Sequence, residues 1–319
     1  MRLLLPLILC AISTPAVAQF DIASTCPGGV VIELDGEIVC EREDTLALLI
    51  ADFEATELSG DIYRLGQEGD REALKQLPNL SFEAMQSGKA ITTGFLARHA
   101  ALSATPFSTN DRLNYELLGF VLTQRQRLAP FDTARIPFTN DSGFFTELSF
   151  VLRQTDFKTP EDYEAYATRL TRLPTFFGQA KENMRRGIKS NFTASVEILP
   201  GIQEMIDGMA NSPVESHPLF APFNAFPDSI EEADQIRLKA LGQAALNSSV
   251  IPAYRDLSAF MQNEYAKGAR PTAGLGTSET EREYYRAVTR FFTTLDISCL
   301  LYTSPSPRDQ RGSRMPSSA

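Results

Sequence analysis

Apolar residues recur every three or four positions over most of this chain, and the longest such run spans residues 159–188. Tyr163, Leu170, Phe177 and Met184 repeat every seven residues, Tyr166, Leu173 and Ala180 fill a second row, and Ile188 closes the stripe. A single seam at that period predicts a core helix of about thirty residues, roughly 45 Å long. Thr159 reads as the N-cap, Pro160 as the first helical residue, and Glu161 and Asp162 as charges suited to a helix start. Pro174 predicts a kink near the midpoint.

Shorter seams predict the other elements. Residues 44–58 place Leu46, Leu49, Ile50 and Phe53 on one helical face, with Asp44 or Thr45 as cap. Residues 60–78 read as a connector with a short helix near 71–76. Residues 81–102 read as a helix loosened by Gly88 and Gly94. Residues 109–128 read as a helix capped by Asn110 or Asp111, with Leu113, Leu117, Phe120, Val121 and Leu128 buried. An irregular loop, 130–143, leads to a short helix at 144–152. Another helix is expected at 195–209. Residues 212–227 hold four prolines and read as a linker or surface loop, not a domain boundary, with His217 exposed. Two separate helices follow at 229–246 and 250–265, and a last one at 279–294 aligns Tyr284, Val288, Phe291 and Leu295. The one β signal is PGGVVIELDGEIV, where Asp35-Gly36 forms a two-residue hairpin turn. The fold class is therefore all-α, a multi-helix array with a small N-terminal β-hairpin.

The two ends differ from the rest. Residues 1–18 carry Arg2, an apolar run from Leu3 to Ile12 and the small-residue site Ala16-Val17-Ala18, which reads as a secretory signal peptide cleaved after Ala18. Cys10 is not read as a lipoprotein cysteine, because Leu9 before it is too bulky. Residues 299–319, CLLYTSPSPRDQRGSRMPSSA, have no apolar periodicity and resemble a translated sequencing adapter. The expected organisation is signal peptide 1–18, hairpin segment 19–43, truncated helical domain 44–298 and artefactual or disordered tail 299–319. Setting aside Arg2, Arg308, Asp309, Arg311 and Arg314 lowers 30 basic and 40 acidic residues to 26 and 39, a net charge of −13. So acidic a surface argues against nucleic acid as a partner and for a soluble periplasmic or extracellular protein. No stretch after the leader suggests an integral membrane segment. Of the four cysteines, Cys26 and Cys40 flank the hairpin, and an oxidising compartment favours a disulfide between them over two free thiols.

Catalytic inventories come up empty. There is no G-x-S-x-G elbow, no phosphate loop, no dinucleotide fingerprint and no H-E-x-x-H. His99 lies at helical spacing from Phe95 and Leu96 and reads as a hydrogen-bonded, half-buried residue. Neither histidine is assigned to a metal. Two stretches stand out: the polar loop 138–143 around Asn140, and the aromatic helix around Tyr284 and Tyr285.

TPEDYEAYATRLTRLPTFFGQAKENMRRGI, the loop from Asn140 to Gly143, RLNYELL at 112–118 and YYRAVTRFFTTLD together resemble the bacterial domain-of-unknown-function 885 family, over roughly residues 44–298. The resemblance implies a helical fold similar to the gluzincin-type zinc peptidases. It also implies a His-Glu motif in a C-terminal half, where zinc would bind and the glutamate would activate water. None of those residues occurs here, so no catalytic residue and no metal ligand is assigned. Zinc is expected in the full-length parent and a peptide is the expected substrate. The chain would be the N-terminal half, its partner the missing C-terminal half. Asn140, Tyr284 and Tyr285 are the candidate substrate-binding residues. The alternative is a non-catalytic periplasmic peptide-binding or envelope scaffold protein.

Overall fold

A computed structural model describes residues 30–34, 37–41, 45–102, 108–274 and 278–296. Two units divide between Thr45 and Leu46. In the first, β1 (Val30–Leu34) pairs antiparallel with β2 (Glu37–Glu41), in a register that sets Leu34 opposite Glu37 and Val31 opposite Cys40. The expected Asp35-Gly36 turn lies outside the described residues. Cys26 lies outside the described residues.

The second unit is all-α. Its core is built on α7 (Pro160–Thr171) and α8 (Leu173–Lys189). Every position of the predicted seam from Tyr163 to Met184 is buried, with Leu170, Ala180 and Met184 fully so. The single kinked helix expected there is instead two helices, parted at Arg172, because Pro174 cannot continue the hydrogen-bond ladder and sits at the start of α8. The Asp162 carboxylate accepts from the N–H groups of Lys158 and Thr159, at 3.0 and 2.9 Å, so this acid caps α7.

Around this pair pack α6 (Phe144–Leu152), α9 (Leu199–Asn211) and a continuous helix over residues 232–268. The last comprises α10 (Glu232–Ala245), a π-turn at Leu246–Val250, α11 (Ile251–Phe260), a second π-turn at Met261–Tyr265 and α12 (Ala266–Gly268). Two separate helices were expected here. The first π-turn bridges them by absorbing Pro252, which has no N–H to donate. Residues 212–227 also depart from expectation. They form short 3-10 turns that bury Leu219, Phe220 and Phe223 completely, and His217 is 1% exposed. Prolines end regular helix here without sending the chain to the surface. Tyr166 and Tyr254 anchor the core by donating to the carbonyls of Leu219, at 2.8 Å, and Phe145, at 2.5 Å.

A second apolar cluster joins α1 (Leu46–Gly60), α4 (Phe82–Ala101) and α5 (Thr109–Leu128) through Leu49, Phe95 and Leu122. The bounds of α5 match the expected helix, but its buried face does not. Leu113 and Leu117 are 66% and 59% exposed, while Leu118, Leu122 and Gln124 are buried, and Ser108 rather than Asn110 or Asp111 caps the helix. The presumed connector 60–78 contains α2 (Ile62–Gln67) as well as the anticipated short α3 (Arg71–Leu74), capped by Asp61 and Asp70. The last helix, α13 (Glu279–Thr293), packs on α5.

Candidate functional site

Helix α13 begins at a cap that its own sequence supplies. The Ser278 hydroxyl accepts from the Glu281 N–H at 3.2 Å, and the Glu281 carboxylate accepts from the Ser278 N–H at 3.1 Å. The same carboxylate lies 3.5 Å from the Arg270 guanidinium. The helix ends at Thr294, whose φ of 62° is left-handed. Held this way, α13 sets Tyr284 between the rings of Phe131 and Phe192, with centroids 5.5 and 5.4 Å away. Tyr285 is half-buried, and Asn140 is exposed at the tip of its loop. That loop closes on itself: Phe138 and Gly143 bridge, and the Thr139 N–H donates to the Ser142 carbonyl at 2.8 Å. Among the described residues no hydrogen bond or ring contact joins Asn140 to either tyrosine.

Beside Tyr284 lies a charged cluster that sequence reasoning missed. Arg135 stacks over Phe192 at 4.3 Å and donates to the Phe131 carbonyl and the Ser190 hydroxyl. Asp132, in the left-handed region at φ 50°, accepts from Arg186, and Arg186 stacks over Phe82 at 4.5 Å. Burial holds Arg135 and Arg186 below the usual guanidinium range. The only sequence signal for this cluster is an Asp at a turn, since the arginines arrive from segments far apart in the chain.

Of this cluster Asp132 alone, with its neighbours Thr133 and Ala134, lines a cleft of about 430 Å³. Met85, Lys89 and Thr92 of α4, Gln126 of α5 and Phe291 of α13 also line it. Arg125 also lines the cleft but is occupied. It forms a two-pronged pair with Glu57, at 2.7 and 2.6 Å, and this hydrogen bonding holds the Glu57 carboxyl below its usual range. Lys89 has no carboxylate partner among the described residues. The cleft can therefore hold a ligand with apolar parts and a negative or carbonyl-rich end near Lys89. None of the three sequence candidates lines the cleft; Tyr284 packs on Phe131, next in the chain to the lining Asp132.

Neither histidine fits a metal centre. His99 stacks on Tyr115 at 3.9 Å and its Nε2 meets the Tyr115 carbonyl at 2.9 Å, a half-buried, hydrogen-bonded residue as expected. His217 Nδ1 accepts from the Leu219 N–H at 3.1 Å, while Nε2 is buried without a hydrogen-bond partner. Burial pulls its pKa down to about 4, against a smaller opposing effect of the Met209 carbonyl. Among the described residues no group of three His, Cys, Asp or Glu side chains is placed to hold an ion. The described residues thus do not fit zinc.

A buried polar core lies deeper. Arg169 is 1% exposed, donates to the Ala73 carbonyl at 2.8 Å and stacks over Tyr63 at 5.3 Å, with no carboxylate partner among the described residues. Burial lowers its pKa to about 10, so the guanidinium stays charged at neutral pH. Nothing local in the helix sequence marks this arginine as internal.

The family of bacterial proteins of unknown function DUF885 matches residues 63–300, a span that holds the cleft, α13 and the whole main core. The chain belongs to DUF885. A solved structure of a candidate lipoprotein from Colwellia psychrerythraea aligns to this DUF885 chain with a TM-score of 0.67 at 15% identity. The alignment covers 79% of this chain and 46% of that one, so this DUF885 chain spans about half the length of that protein. At such identity the likeness is one of fold, and it agrees with the helical array described above. No functionally curated protein matches the chain.

Proposed function

We propose that this DUF885 chain forms a helical wall of a peptide-binding cleft in an exported hydrolase of the zinc-peptidase kind, whose metal ligands are residues other than those described here. The observation that carries the reading is the cleft beside α13, where Lys89, with no carboxylate partner among the described residues, shares the lining with threonines, Asp132 and apolar side chains. Amphiphilic clefts of this size suit short peptide segments. An exported location is supported by the candidate lipoprotein of like fold, and no described helix is long and apolar enough to cross a membrane. The second reading is a non-catalytic peptide-binding or scaffold protein of the envelope. It is favoured by the commitment of both histidines to structural hydrogen bonds.

Metal content and peptide hydrolysis, measured on this chain and on the longest natural form of the protein, separate the two. The hydrolase reading expects about one zinc and hydrolysis in the long form only. Peptide binding with neither zinc nor hydrolysis in either form would favour the scaffold. Stoichiometric tight zinc in the present chain would overturn the placement of the metal.

A further inference from the structure

A second cavity, of about 620 Å³, lies between the end of α6 and the proline-rich turns at 218–227, away from the cleft residues. Its walls are aromatic and prolyl. Phe157 and Phe226 pack on the ring of Tyr163 at centroid distances of 5.0 and 4.9 Å, and Pro222 and Leu152 are among the other lining residues. Tyr163 is 2% exposed and its hydroxyl has no hydrogen-bond partner among the described residues. A phenol that lines a cavity without a partner is available to a ligand. Burial and the neighbouring Asp162 raise its pKa, so it remains a neutral donor and acceptor.

The mouth is asymmetric in charge. Arg153 lines it, is exposed, and has no carboxylate partner among the described residues; its guanidinium lies over the Phe150 ring, at 5.2 Å. Asp156, the one acid there, is 3.6 Å from Lys158. A guanidinium fork beside an apolar pocket suits a carboxylate attached to an apolar body.

From this geometry we infer that the pocket binds the C-terminal residue of a peptide, with an apolar or aromatic side chain in the cavity against Leu152, Phe157, Pro222 and Phe226 and the terminal carboxylate on Arg153. The Tyr163 hydroxyl bonds the last peptide unit. The inference rests on the peptide-binding reading above for the class of ligand alone; the pocket itself is separate from the cleft.

Calorimetric titration of the full chain with N-acetyl-Ala-Phe, as free acid and as C-terminal amide, tests it. The acid is expected to bind saturably and the amide about tenfold more weakly. Arg153→Gln should bring the acid to the level of the amide. Tyr163→Phe, which keeps the ring, should weaken both by a few-fold. Equal binding of acid and amide, an unchanged preference in Arg153→Gln, or no binding of either peptide would overturn the inference. Zinc and hydrolysis do not enter this readout, so failure of the hydrolase reading would leave a different signature.

Discussion

Glu281 of the last helix meets Arg270 at 3.5 Å, and with side-chain exposures of 9% and 14% the pair is largely withdrawn from water. Arg270 is itself tied down: its N–H donates to the Ala194 carbonyl at 3.0 Å, and its own carbonyl accepts from Val196 at 2.8 Å. The pair therefore fastens α13, and with it Tyr284 and the cleft wall, to the main core. Removing one partner of such a pair leaves the other charge uncompensated. Glu281→Ala should lower stability by about 1–3 kcal/mol. Hydrogen exchange should rise in residues 279–293 and stay unchanged in α7 and α8.

His217 makes stability depend on pH. Its folded pKa is about 4, below the ordinary value of 6.5, so between these limits the unfolded chain binds more protons than the folded one. Stability should accordingly fall as pH drops from 6.5 to 4, by about 3 kcal/mol from this residue, and fall no further on its account below that. His217→Asn keeps an acceptor for the Leu219 N–H and removes the titration. Denaturant melts at pH 7 and 4.5 should show a smaller loss for the variant than for the parent.

Two glycines should respond in opposite ways. A Cβ on Gly242 would stand 2.6–2.8 Å from the ring of the fully buried Phe223, whereas one on Gly178 would meet nothing within 4 Å. Gly242→Ala is expected to destabilise by about 1–2 kcal/mol, the overpacking exceeding the helix-propensity gain. Gly178→Ala should stabilise by up to about 1 kcal/mol. Thermal melts of the two single variants check the pair.

Tyr254 carries its hydroxyl across the core to the carbonyl of Phe145, 109 residues away in sequence. Tyr254→Phe should cost about 1 kcal/mol with no change in helix content. A melt together with far-ultraviolet circular dichroism measures both.

Much of this fold is legible in the sequence, because the positions of the α7–α8 seam are spaced by the helix itself and need no knowledge of neighbours. Thr109–Leu128 shows the limit. Its bounds follow from local signals, yet which leucines are buried depends on α1, α4 and α13 lying against it, and tertiary packing turned the face toward Leu118 and Leu122. His217 was hidden for a related reason: prolines announce the end of regular helix but not whether the chain then turns inward. The site was less legible still. Tyr284 could be flagged as aromatic, whereas Arg186 reaches Asp132 and Arg135 only through the folding of distant segments, and the pocket around Tyr163 joins residues 149–163 to the turns at 218–227.

The π-turns of the 232–268 helix give this chain slack in length. Each wide turn holds one residue more than an α-turn while the flanking segments keep their facing. Elsewhere along the helix, loss of one residue would rotate everything downstream by about 100° and carry Tyr254 or Leu257 away from the core. At the exposed Asn247 and Ser248, or at Gln262 and Asn263, the same loss would only tighten the bulge to ordinary α-helix. These two points are where the longest helix of the molecule can shorten by a residue without disturbing its buried side.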